Sequence, residues 1–495
     1  MKALSKIVRA VLFVLVFLLL LSVAGRVFQR PHGEDWATET GMDLVRLFRG
    51  QYGVIFAGTS VAIANISCKA LYDHYGIPSV SVGEPEQPLF LTKYTVEEVL
   101  RCQHPKVVLL DAKSFFYADT RLEKTFNKSE DYYIHNTLDS IHFPFIKWKA
   151  LEQIQKYKEV DKKAYYFRLY NRHSHWKDLK EINFRDCDKK DTMNGNIMMT
   201  GVFKNRKEFK GKEAQFSREN QKEVLEIREI CRKAGVDLVL TISSRMVRKS
   251  NRDQVHAFAR ENQIDLLDVS DVMDEIGFTT QMMRDVVHFN IVGATVWTDY
   301  IGQYLSENYS FETPSEKMDR FYQDQSENYD AYMNHVHSRI RFFEAASFKA
   351  FLRAIIDSDL QDIAVFAVVN DDAYGALDEE GKDLLRQIGL DGPPCFKGSY
   401  AAACVTDGIL QEGSEQEKVT LSGTDGNLNY TLESVGSNVE GGPSSSINVN
   451  GVEFASAQRG FQFVLYDRKI GDVISKMCFD TCMIADPNGS ELGQA

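Results

Sequence analysis

The 495-residue chain is too long for one ordinary domain, and its 44% hydrophobic content is that of a globular protein with sizeable cores. Its formal net charge of -12 argues against nucleic acid as a partner, because an acidic surface repels backbone phosphates. The charge is uneven: residues 145–260 are rich in Lys and Arg, whereas the stretch beyond 355 is strongly acidic.

The chain opens with Lys2, Lys6 and Arg9, then an apolar run from Ala10 to Leu21 that continues to Ala24, with Arg26 and Arg30 behind it. Such a run is close to the roughly 20 residues needed to cross a bilayer. Two readings stay open. As a retained signal-anchor it makes a single-pass protein of the cell membrane, its N-terminus held cytoplasmic by the basic residues and its bulk extracytoplasmic. As a cleaved signal it would use Ser22-Val23-Ala24 and release a secreted protein after cleavage near Ala24. Either way the rest of the chain is exported. Among the eight cysteines, Cys68, Cys102 and Cys231 lie in apolar or helical patterns and read as small buried residues. Cys187 sits in a polar stretch. Cys395, Cys404, Cys478 and Cys482 cluster near the C-terminus and could form up to two bridges. Cys478 and Cys482 lack a second pair at zinc-like spacing, so no metal is expected.

Beyond the anchor, the continuous apolar run Tyr52–Ala57 reads as a first strand, and Pro78–Val82, Lys106–Asp111, Val236–Ile242 and the shorter Ile264–Val269 read as further buried strands. Helical patterns separate them: one from Ser60 through Tyr75, then Val96–Arg101, Arg218–Ala234 and Arg252–Asn262. Strands alternating with helices indicate an α/β domain with a parallel sheet covered on both faces. Residues 120–217, rich in Tyr, Lys, His and Trp, read as a mostly helical insertion over that sheet. Glu316–Arg341 reads as a polar linker helix. After it come a helix at Phe348–Ile356, a strand at Ile363–Val369, a helix at Asp378–Ile388 and a strand pair, Phe461–Tyr466 with Asp472–Phe479. Gly413–Ser446, rich in Gly, Ser and Asn, reads as turns or an exposed loop. The expected organisation is a membrane segment at 1–30, the α/β domain at 31–305, a helical linker at 306–345 and an α+β domain at 346–495.

Two motifs carry chemistry. Phe56-Ala57-Gly58-Thr59-Ser60 ends a strand and opens a helix, which places Ser60 at the carboxyl edge of the sheet, where doubly wound folds bind ligands. The helix N-terminus directs N–H groups towards a developing oxyanion there. Near the end of the α/β region, Asp285-Val286-Val287-His288 supplies an acid that can accept the imidazole Nδ1 hydrogen bond and leave Nε2 to take the serine proton.

These motifs, in this order, resemble the SGNH (GDSL-type) hydrolase superfamily over roughly residues 50–305. The likeness extends to its membrane-anchored bacterial members and the group of lipoteichoic-acid D-alanylation and alginate-acetylation proteins. The resemblance implies a flavodoxin-like parallel sheet, with Ser60 as nucleophile, His288 as general base and Asp285 as its orienter. It also implies an oxyanion hole from the Ser60 and Gly83 amides. The nucleophile motif departs from the family in reading Gly-Thr-Ser instead of Gly-Asp-Ser. Where the family has Gly-x-Asn, this chain has Asp111-Ala112-Lys113-Ser114, so Lys113 or Ser114 would replace the third donor. Asn290, two residues past the histidine, is a further candidate substrate contact. In the insertion, His173 and Trp176 of Asn171-Arg-His-Ser-His-Trp176 could line an acyl or sugar site, or pack the insertion.

Towards the C-terminus, Phe348–Ile355, Ile363–Val369, Asn370-Asp371-Asp372-Ala373 and Gly460–Val473 resemble the interleukin-like EMT inducer domain, in permuted order. That likeness implies carbohydrate binding, with Asp371 and Asp372 as candidate contacts or as caps of the strand-to-helix turn. The expected function is an extracytoplasmic serine esterase or O-acyltransferase acting on cell-envelope glycans or acylated glycopolymers, with no cofactor. The alternative is a catalytically inactive SGNH-fold surface protein that binds glycans.

Overall fold

A computed structural model describes residues 2–29, 37–118, 132–166, 176–177, 179, 193–203, 213–244, 248–358 and 362–492. The chain divides into two compact units, Met1–Tyr329 and Asp330–Ala495.

The first unit begins with the helix Lys2–Gln29, whose stretch Lys6–Gly25 has a mean hydropathy of 2.9 and is long and apolar enough to cross a membrane. Next come β1 (Val54–Ala57), β2 (Ser79–Ser81), β3 (Val107–Asp111), β4 (Asp237–Ile242) and β5 (Asp265–Asp268). They pair in parallel in the order β2-β1-β3-β4-β5, the flavodoxin-type arrangement of a doubly wound sheet. All five coincide with expected apolar runs, trimmed at their ends.

The central strands β1, β3 and β4 are mostly apolar because both faces are covered, and alternate side chains go to opposite layers. Ile55, Ala57, Val108, Leu110, Leu238 and Leu240 meet the helices Ala37–Leu47, Leu89–Val99, Arg218–Lys233, Lys249–Asn262 and Glu316–Gln323. Val54, Phe56, Val107, Leu109 and Val239 meet Cys68–Tyr75 and Ile291–Asn308, the latter contributing Ala294, Trp297, Ile301 and Leu305.

Several expected elements are corrected. The segment after Ser60 is two helices, Ser60–Ala64 and Cys68–Tyr75, because Asn65 ends the first and the Ser67 hydroxyl caps the second. Described helices of the insertion (Tyr132–Ser140, Pro144–Ile154, Lys162–Tyr166) pack on one of the helices that cover the sheet. They form a separate core with Phe90, Leu91 and Tyr94 of the helix Leu89–Val99. The polar linker is likewise two helices, Glu316–Gln323 and Ser326–Glu344, and the second crosses the boundary between the units.

The second unit has three layers. In its middle layer β15-β14-β13-β6-β7-β8 form one antiparallel sheet, from β6 (Ile363–Asn370), β7 (Ser399–Val405), β8 (Gly408–Ser414), β13 (Gly460–Asp467), β14 (Asp472–Phe479) and β15 (Ser490–Glu491). One face packs Val365, Val369, Phe461 and Phe463 against the helices Phe348–Ile356 and Glu379–Gln387. The other face packs Phe366, Val368 and Val464 against a four-stranded sheet of β9 (Val419–Asp425), β10 (Leu428–Val435), β11 (Ser444–Val449) and β12 (Val452–Glu453). This second sheet replaces the loop expected at Gly413–Ser446. Leu428, Tyr430 and Leu432 are buried and alternate with exposed Asn429 and Thr431, a strand period that the Ser, Thr and Asn of the solvent face conceal. The described cysteines carry no disulfide, including Cys395, Cys404, Cys478 and Cys482; Cys187 lies outside the described residues.

Trp297 is fully buried against the sheet and donates from Nε1 to Ser243 Oγ at 2.9 Å. Trp297→Ala should cost about 3–5 kcal/mol. Urea unfolding of the first unit's transition measures this, and a loss below 1 kcal/mol would contradict the packing described.

Candidate active site

β1 delivers its chain to the carboxyl edge of the sheet and turns sharply. Gly58 makes the turn at a φ of +143°, a conformation in practice confined to glycine. A Cβ there would also stand 2.8 Å from the Asp111 Cβ at the end of β3. Thr59, fully buried, caps the following helix. Its Oγ1 accepts from the Val61 N–H at 3.3 Å and donates to Asp111 Oδ2 at 2.8 Å. A hydroxyl suits position 59: an acid there would face the buried carboxyl of Asp111, whereas a hydroxyl donates to it.

Ser60 Oγ lies 2.8 Å from His288 Nε2, and His288 Nδ1 lies 3.0 Å from Asp285 Oδ2. Lys113 Nζ donates to the same Ser60 Oγ at 3.0 Å. With Lys113 as an ammonium, which can only donate, Oγ accepts from it and is left to donate to Nε2, an arrangement that matches a ring hydrogen on Nδ1 facing Asp285. Burial raises the Asp285 pKa, but the His288 ring, the His288 N–H (2.9 Å) and the Val287 N–H (2.8 Å) outweigh it and hold the carboxyl well below the usual range. Arg284 Nη1 adds a charge 3.5 Å from Asp285 Oδ2. Asp111 goes the other way. Full burial pushes its carboxyl up, against the Thr59 hydroxyl, the Lys113 charge and the Lys113 N–H, which lower it.

The remaining expected residues divide. The Ser60 amide has no hydrogen-bond partner among the described residues. Gly83 lies against the nucleophile turn, where a Cβ would come 2.8 Å from the Thr59 oxygen. Of the Lys113–Ser114 alternatives, Lys113 reaches Ser60, whereas Ser114 is buried with an unbonded hydroxyl. Asn290 is corrected from a substrate contact to a helix cap. It is fully buried, accepts from the Gly293 N–H at 3.1 Å and donates to Gln281 and Gly201 carbonyls. Trp176 is exposed; His173 lies outside the described residues. Asp372 in the second unit takes the capping arrangement, one of its two expected readings: it is 1% exposed, and its Oδ1 accepts from the Tyr374 and Lys397 N–H groups at 2.9 Å. Asp371 adopts a φ of +63° and bonds Ser437.

One residue escaped the sequence reading. Asn65 donates from Nδ2 to the Ser243 and Val287 carbonyls and accepts from the Phe289 N–H at 2.9 Å, clamping both sides of His288. A single buried amide in the apolar run Val61–Ile66 was the available signal.

No protein-family model matches the chain, and no curated protein matches it. Among solved structures it is similar to a Bacteroides fragilis crystal structure described as "a putative acylhydrolase", at 11% identity and a TM-score of 0.27, covering 56% of this chain and 99% of that one. At that TM-score the likeness adds nothing to the strand order and geometry above.

Two outcomes follow. Asp285→Asn should lower turnover of p-nitrophenyl acetate by roughly 10,000-fold, because the amide favours the wrong imidazole tautomer; an unchanged rate would detach Asp285 from the reaction. Because the folded pKa of Asp111 is raised, its contribution to stability is fullest below the ordinary value of 3.8 and is lost as pH rises through the folded value. Denaturant titrations from pH 4 to 7 should therefore shift the stability difference in favour of Asp111→Asn as pH rises. A shift towards the wild type contradicts the assignment.

Proposed function

We propose that the protein is a serine esterase or O-acyltransferase of the SGNH type, acting outside the cytoplasm on acyl esters of cell-envelope glycans or glycopolymers. The observation that carries the reading is Ser60 Oγ at 2.8 Å from His288 Nε2, with Asp285 behind the ring. That is hydrogen-bond reach for general-base catalysis.

In this reading Ser60 Oγ bonds to the ester carbonyl carbon while its proton passes to His288 Nε2. Collapse of the tetrahedral intermediate breaks the bond to the leaving alcohol, whose oxygen takes the proton from Nε2. Water or a sugar hydroxyl then attacks the acyl-enzyme, returns a proton through His288 and frees Ser60. Asp285, held ionised by its hydrogen bonds, stabilises the imidazolium in both halves. The steps need no cofactor. The envelope location is supported by the apolar stretch Lys6–Gly25. A glycopolymer substrate is supported only by the sequence likeness of the second unit to carbohydrate-associated domains.

A fluorophosphonate probe tests the reading. The full chain should label at Ser60, and Ser60→Ala should abolish the signal. Equal labelling of the two, or none of either, would leave a glycan-binding protein on a hydrolase scaffold.

A further inference from the structure

Lys113 is the first residue of the short 3-10 helix Lys113–Phe116 that follows β3. Strands β1 and β3 are neighbours, so their carboxyl ends bring positions 60 and 113 together, at the point where a doubly wound sheet reverses its strand order. The Lys113 main chain is fixed by its N–H bond to Asp111 Oδ1 at 3.1 Å, and Asp111 is fixed in turn by Thr59. From that anchored backbone the side chain places Nζ 3.0 Å from Ser60 Oγ, the same oxygen that bonds His288 Nε2. The turn that presents the nucleophile therefore also presents a cation.

We propose that Lys113 is a catalytic residue whose ammonium bonds Ser60 Oγ in the resting site and moves to the substrate's carbonyl oxygen as the tetrahedral intermediate forms. The inference rests on Ser60 being the nucleophile. When Oγ bonds to the carbonyl carbon, the new oxyanion sits one carbon away from Oγ, within the swing of the last bonds of a lysine side chain. A full positive charge then faces the negative charge that develops in the transition state. In a half-buried site such a charge stabilises the transition state more than it does the neutral ester. No proton leaves Lys113 at any step: the proton path runs between Ser60, His288 and the alcohol.

The test uses the full chain and two probes, fluorophosphonate labelling of Ser60 and hydrolysis of p-nitrophenyl acetate. Lys113→Met should lower kcat by about 100- to 1,000-fold, the usual cost of losing an oxyanion donor, with KM nearly unchanged. Lys113→Arg, or ethylammonium added to Lys113→Met, should restore at least tenfold, a recovery that a merely structural lysine would not give. Lys113→Met turning over within threefold of the wild type overturns the proposal. So does a loss that neither Lys113→Arg nor ethylammonium relieves. If the wild type itself fails to label at Ser60, the fault lies with the reading of the nucleophile and not with Lys113.

Discussion

The site depends on one steric constraint, the approach of the end of β1 to the end of β3 at Gly58. There is no room for a Cβ against Asp111, and the backbone conformation excludes other residues independently. Because the two strand ends touch there, Thr59 can bond Asp111 and Lys113 can bond Ser60. A looser turn would separate the serine from the cation and leave the buried Asp111 carboxyl without its hydroxyl donor, at the cost of an unsatisfied buried group.

His288 arrives from far along the chain, and its position is set by a different device. Asn65, immediately past the helix that Ser60 opens, bonds main-chain groups on both sides of the histidine and another at the end of β4. The helix that Ser60 opens thus holds the loop that carries His288. Asp285 adds a local turn by accepting two N–H groups of the same loop. These fixed donors and acceptors set the order of Ser60, His288 and Asp285, the preorganisation that the proposed reaction calls for.

The sequence made the strands of the first unit legible because a sheet buried on both faces favours short runs rich in Val, Ile and Leu, here separated by helical patterns. It also made Ser60, Asp285 and His288 legible as candidates, since each sits where a strand or loop meets a helix. What stayed hidden has physical causes. Asn65 acts through main-chain groups distant in sequence, which no local pattern encodes. Asn290 was read as a ligand contact, and Asp372 as either a contact or a cap, because polar residues at loop-helix junctions look alike whether they cap or bind; burial separates them. In the second unit, β9 to β11 carry so many Ser, Thr and Asn on the solvent face that the period-two pattern of Leu428, Tyr430 and Leu432 is masked. Disulfides looked plausible from clustering along the chain, yet the described cysteines remain separate thiols.

The central claim is that Ser60 becomes acylated with His288 as its base. Rapid-quench mass spectrometry of the full chain mixed with p-nitrophenyl acetate measures this directly. The claim predicts an early burst of p-nitrophenol matched by one acetyl group on the peptide containing Ser60, and no such adduct in His288→Ala. An acetyl group carried elsewhere while Ser60 stays unmodified, or a Ser60 adduct that forms equally fast without His288, would contradict it.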